Sequence, residues 1–93
     1  MKTIDLFYLT TCPYCINAKK ALESLKEENP SYGQIGIRWI EEESVTAFPA
    51  WADYYYVPTI FYNEKKLYEA KPGQDYDTIR ANIKEALDTV LAD

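Results

Sequence analysis

Ile4-Asp5-Leu6-Phe7-Tyr8-Leu9-Thr10-Thr11-Cys12-Pro13-Tyr14-Cys15 decides how this chain is read. A short, nearly continuous apolar run predicts a strand buried on both faces over Ile4–Leu9. Asp5 is the exception, and it is expected near the strand's start, within reach of water. Thr10 and Thr11 are predicted to cap a following helix, and Pro13 suits its first turn. Cys12 and Cys15 are the only cysteines among 93 residues. A Cys-x-x-Cys between a strand and a helix start is the pattern of a redox dithiol.

Outward from this stretch, Ala18, Ala21, Leu22 and Leu25 repeat at helical spacing. Lys19, Lys20, Glu23, Lys26 and Glu27 form the helix's solvated face. Asn29-Pro30 ends it, because a residue before proline avoids the helical region. Ser31–Gln34 makes the connection. Ile35–Ile40 predicts a second strand, and its crossover from the first demands a parallel pair and a right-handed βαβ unit. Glu41–Ser44 closes that strand. Val45–Tyr55 is expected to hold a helix that Pro49 either opens or kinks. Ile60–Tyr62 is the third strand. Asn63-Glu64-Lys65 turns the chain into a fourth, antiparallel strand at Leu67, Tyr68 and Ala70. After Lys71-Pro72-Gly73, a last helix is predicted from Asp75 to Leu91, with Tyr76, Ile79, Ile83, Leu87 and Val90 on one stripe.

This length suits one small domain over residues 1–93. A hydrophobic fraction of 47% is enough for its core. The net charge of −5 opposes nucleic acid, and no basic stripe offsets it. No apolar stretch approaches the roughly 20 residues of a membrane helix. Met1–Asp5 turns polar too early for a signal peptide, so the expected compartment is the cytoplasm, where thiols stay reduced. A monomer is expected. With no histidine and no second cysteine pair, the chain lacks the three or four ligands of a typical metal site, and no tightly bound cofactor is expected.

Thiol–disulfide exchange needs a thiolate attacker and a second thiol that resolves the mixed disulfide. Cys12 falls at the helix start, where unpaired N–H groups and the helix dipole favour a thiolate. Cys15, one turn further in, is expected to be less exposed and close enough to attack the Cys12 mixed disulfide intramolecularly. Pro13 fixes the backbone between them, and Tyr14 sets a ring at the rim. A second signal is Tyr56-Val57-Pro58-Thr59 ahead of the third strand. A cis Val57–Pro58 bond would leave the Val57 backbone groups free to pair with an extended substrate.

With these two motifs in place, the chain resembles the glutaredoxins of the thioredoxin superfamily over nearly its whole length. Cys12-Pro13-Tyr14-Cys15 is the usual dithiol centre of that family, and Ala18-Lys19 fits its first helix. The resemblance implies an α/β thioredoxin-like fold, a four-stranded mixed sheet in the order β-α-β-α-β-β-α, flanked by three helices. It implies a thiol–disulfide oxidoreductase with Cys12 as nucleophile, Cys15 as resolving thiol, and Tyr14, Val57, Pro58 and Thr59 along the substrate groove. Protein disulfides or glutathione mixed disulfides are the implied substrates, glutathione the implied co-substrate, and cell redox homeostasis the implied role. Asp75 is placed to bind a ligand's amino group or to cap the last helix. Two features depart from the glutathione-using members. Leu9-Thr10-Thr11 carries no lysine ahead of Cys12, and Pro72-Gly73-Gln74-Asp75 keeps one glycine where a pair is usual. The alternatives are a glutathione-independent, thioredoxin-type reductant served by a flavoprotein reductase, and a thioredoxin-fold binding module without turnover.

Overall fold

The computed structural model describes residues 2–93. Strand β1 (Thr3–Tyr8) leads through helix α1 (Pro13–Glu28) and a 3-10 turn (Pro30–Gln34) to strand β2 (Gly36–Glu41). A second 3-10 turn (Glu42–Ser44) and a long irregular segment follow, then strands β3 (Thr59–Tyr62) and β4 (Lys65–Glu69) and helix α2 (Tyr76–Ala92). The sheet order is β2-β1-β3-β4. β1 runs parallel to β2 and antiparallel to β3, and β3 is antiparallel to β4. The four-stranded mixed sheet is therefore the one expected, and its strands start and stop within a few residues of the predicted bounds.

β1 is central, and its side chains alternate between two differently covered faces. Ile4 and Leu6 join Ala18, Ala21, Leu22 and Leu25 of α1 and Ile79, Ile83 and Leu87 of α2 in one apolar core. The two helices pack on each other over this face. Arg80 of α2 bonds Ser24 Oγ at 3.3 Å and pairs with Glu28 of α1. Tyr32 in the first 3-10 turn is buried and donates its hydroxyl to Asp88. Lys2 Nζ reaches the carbonyls of Val90 (2.9 Å) and Leu91 (3.4 Å), where a cation complements the exposed C-terminal end of α2.

The other face corrects the expectation of three helices. Residues 45–58 form no helix. Pro49 keeps Phe48 out of the helical region, and the segment makes only short turns, such as Ala52 N–H to Pro49 carbonyl at 3.0 Å. Its aromatic residues gain more from the sheet than from helical spacing. Phe48, Trp51 and Tyr54 close around Phe7, with ring centroids 5.9, 6.2 and 5.0 Å away. Phe61 completes the cluster at 5.7 Å from Phe7. An aromatic loop thus stands where a helix was expected, and large rings supply the buried area.

Asp5 shares this second face, and it too departs from expectation. It is buried rather than open to water, because it pairs with Arg38 on β2 and Phe61 on β3 in the middle of the sheet. Arg38 Nε lies 2.7 Å from Oδ1 and balances its charge. Among the described residues Oδ1 accepts no hydrogen bond, so this contact is an ion pair without hydrogen-bond alignment. The threonines also differ from expectation. Thr10 and Thr11 occupy the turn that Cys12 N–H closes onto the Leu9 carbonyl at 3.3 Å. With Pro13 opening the helix, Cys12 itself is the N-cap, and no side chain caps α1.

Phe7 is the ring on which the loop is assembled. Phe7→Ala should cost about 3–5 kcal/mol in urea unfolding and change the Trp51 environment. Phe48→Ala, at a residue 46% exposed, should cost clearly less. Equal losses from the two variants would refute this account of the loop.

Candidate functional site

The dithiol sits where β1 ends and α1 begins. Cys12 is half-buried and Cys15 buried, and both are free thiols. Their positions follow from the local fold: the tight turn at Leu9–Cys12 puts Cys12 at the helix cap, and Cys15 falls one turn inward on the core-facing side of α1. Cys15 Sγ lies 3.5 Å from the Leu9 N–H, which donates to it. Burial pushes the Cys15 thiol up from its ordinary value of 9.0 to about 12. The Leu9 N–H opposes that shift, while the adjacent Cys12 thiol and the charge of Glu42 add to it. Two sulfurs three residues apart therefore differ in access, and burial holds the inner one as a thiol.

The second motif meets the first here. Val57–Pro58 is a cis peptide bond. The Cys12 thiol points at the Val57 carbonyl, with Sγ 3.6 Å from the oxygen. Pro58 and Thr59 are buried beneath this contact. The Thr59 hydroxyl donates to the Tyr56 carbonyl, and Ala70 N–H donates to the Pro58 carbonyl at 3.0 Å. Thr59 therefore touches the loop from below and has no exposed surface.

Tyr14 lies partly exposed beside the dithiol, and its hydroxyl accepts the Gly73 N–H at 2.8 Å. This bond joins the start of α1 to the turn ahead of α2. Gly73 has φ of 90°, a conformation that favours glycine. Asp75 is the N-cap of α2, and its Oδ1 accepts the Thr78 N–H at 2.9 Å. Hydrogen bonding to Thr78 holds its carboxyl below the usual range. Its charged form is thus engaged in capping, one of the two roles open to it from sequence.

Three contributors were not legible from sequence. Leu9 acts through its backbone N–H, to which residue identity is silent. Glu42 follows the end of β2, and its carboxylate takes the Tyr54 hydroxyl at 2.8 Å; partial burial, together with this bond, holds the phenol well above its usual value. Glu69 accepts the N–H groups of Tyr55 and Tyr56 at 2.6 and 2.8 Å. No short-range pattern links Glu69 to residues 13 and 14 positions away.

A groove of about 540 Å³ also opens between α1 and β2. Ile16, Lys19, Leu22, Ile37 and Trp39 line it, and Cys15 forms part of its wall, but Cys12 and Val57 do not reach it. Among the described residues, no group of three His, Cys, Asp or Glu side chains is placed to hold a metal ion. Among the described residues, no helix is long and apolar enough to cross a membrane.

A family model described as Glutaredoxin matches residues 4–67. That span exceeds half of the chain and contains both Cys12-Pro13-Tyr14-Cys15 and Val57-Pro58-Thr59. It ends before Asp75. No curated protein matches the chain.

The proton affinity of Cys15 gives a measurable signature. A thiol raised on folding stabilises the reduced fold fully below its ordinary value, and that stabilisation is lost as pH climbs through the folded value. The reduced protein should therefore lose stability relative to Cys15→Ser between pH 9 and about 12. Parallel pH–stability curves for the two would refute the assignment. At pH 8, iodoacetamide should modify Cys12 first, as mass mapping of the alkylated peptides would show.

Proposed function

Because the chain belongs to the glutaredoxin family, we propose that it is a thiol–disulfide oxidoreductase working through Cys12 and Cys15. The observation that carries the reading is the unequal pair: an accessible sulfur at a helix start, and a buried thiol one turn behind it. Thiolate attack by Cys12 on a substrate disulfide breaks that S–S bond, and the departing sulfur takes up a proton. Cys15 then gives up its proton and attacks the Cys12 sulfur, releasing the second substrate thiol and leaving a Cys12–Cys15 disulfide. Two electrons have passed to the substrate. Cys15's high proton affinity keeps it a thiol until a mixed disulfide forms beside it, so the two cysteines do not compete for the first attack.

Substrate contacts in this reading come from the groove around the dithiol. Val57 offers its backbone to an extended substrate segment, in the manner of an added strand. Pro58 and Thr59 hold that backbone from below, and the Tyr14 ring borders the site. Protein disulfides and glutathione mixed disulfides are the substrate classes, and glutathione returns the dithiol to its reduced state. A reducing compartment such as the cytoplasm suits this cycle.

Two observations favour a second reading, reduction by a flavoprotein reductase in place of glutathione. Asp75 is engaged in capping α2, and the residues ahead of Cys12 supply no ammonium for a glutathione carboxylate. A binding module without turnover is the weaker alternative, since capture alone has no use for a buried second thiol.

Reduction of hydroxyethyl disulfide with glutathione as sole reductant separates the two donors. Turnover there supports glutathione, and turnover only with a thioredoxin reductase and NADPH supports the second reading. Cys12→Ser should abolish activity with either donor. Cys15→Ser should accumulate a protein mixed disulfide on non-reducing gels. Failure of wild type with both donors would overturn the oxidoreductase reading.

A further inference from the structure

We propose that Glu69 is a positioning residue: its carboxylate fixes the backbone ahead of Val57 and so selects extended polypeptide disulfides over small ones. The proposal rests on the oxidoreductase reading and deepens it by naming the substrate class and the group that sets it.

Val57 lies at the end of the irregular segment, where no strand or helix holds it. The two residues ahead of it are not held by burial either, since Tyr55 is 88% and Tyr56 50% exposed. What fixes this stretch is polar. Glu69 ends the edge strand β4 opposite Thr59, so its side chain lies on the same face as Thr59 and the aromatic loop. One oxygen, Oε2, receives the N–H groups of both Tyr55 and Tyr56. The other, Oε1, receives Lys66 Nζ at 2.7 Å, which completes the carboxylate's partners. Burial raises Glu69, but the hydrogen bonds from Lys66, Tyr55 and Tyr56 outweigh it and leave the group below the usual carboxylate range. The clamp is therefore charged at neutral pH, and charge-assisted bonds are the stronger kind.

Downstream, the Thr59 hydroxyl takes the Tyr56 carbonyl and Ala70 N–H takes the Pro58 carbonyl. The backbone is thus tied to β3 and β4 on both sides of Val57. Val57 is left as the exception. Its carbonyl meets only Cys12 Sγ, and its N–H donates no hydrogen bond among the described residues. A free N–H and C=O on one anchored residue match an extended chain laid across the dithiol. The exposed Tyr55 and Tyr56 rings, held through their own backbones by Glu69, give such a chain a further surface. A small disulfide reaches Cys12 without using either. Fixing this geometry before binding lowers the ordering cost that a long substrate would otherwise meet.

The test compares a cystine-bridged peptide with hydroxyethyl disulfide as substrates for wild type, Glu69→Gln and Glu69→Ala. The ratio of kcat/KM for the peptide to that for the small disulfide should fall about tenfold in Glu69→Ala, carried by KM rather than kcat. Glu69→Gln keeps an acceptor oxygen and should fall between. The amide proton resonances of Tyr55 and Tyr56 should move upfield in Glu69→Ala with the far-UV spectrum unchanged. An unchanged ratio in an active wild-type background, or equal losses on both substrates, would overturn the proposal and leave the oxidoreductase reading standing. A wild type inactive on both disulfides would remove that reading and this proposal together.

Discussion

Strand β1 has no solvent-facing side, and the structure follows from that constraint. It is hydrogen-bonded along both edges, parallel to β2 and antiparallel to β3. Ile4 and Leu6 must therefore find one apolar partner layer, and Phe7 another. Two helices fill the first need and a set of aromatic rings fills the second. The same strand then ends in a tight turn that delivers the Leu9 N–H to one sulfur and sets the other at the mouth of α1. Core and chemistry are consecutive parts of one segment, so a shift of β1 by one residue would exchange its faces and misplace the thiols together.

The difference between the two sulfurs comes from depth. α1 carries Cys15 toward the core with Ala18, Ala21 and Leu22, and the same apolar surroundings that stabilise the helix penalise a thiolate there. Cys12 lies outside that environment, against a main-chain carbonyl. One turn of helix is enough to give the two sulfurs different exposure and different surroundings.

Much of this was legible in the sequence, for identifiable reasons. The helical spacing of Ala18 to Leu25 and of Tyr76 to Val90 reflects burial on one side, which composition records directly. Cys12-Pro13-Tyr14-Cys15 and Val57-Pro58-Thr59 were readable because proline constrains the backbone wherever it occurs. Residues 45–55 were misread because their aromatics are compatible with helical spacing, while the decisive contact, Phe7 on the sheet, lies some forty residues away (a tertiary effect that local propensity does not encode). Asp5 was misread for a related reason. Its neighbours Arg38 and Phe61 become neighbours only after the strands pair. The site contacts of Leu9 and Glu69 involve main-chain groups, and main-chain groups have no letter in a sequence.

The unequal covering of the two sheet faces also divides the molecule by local stability. On the helical face, α1 and α2 are joined by a shared core, and each carries its own long ladder of backbone hydrogen bonds. On the aromatic face, residues 45–54 hold their place by ring contacts, the Tyr54–Glu42 bond and a few isolated turns. Subglobal opening follows the weaker set of contacts. Residues 45–54 are thus a separate unit, able to detach while the helical half stays folded, and Glu69 anchors Tyr55 and Tyr56 between that unit and Val57. Amide exchange should accordingly report two populations, a slow one in β1, α1 and α2 and a fast one confined to the loop. The two bonds from Glu69 to Tyr55 and Tyr56 mark where that opening stops, just ahead of Val57.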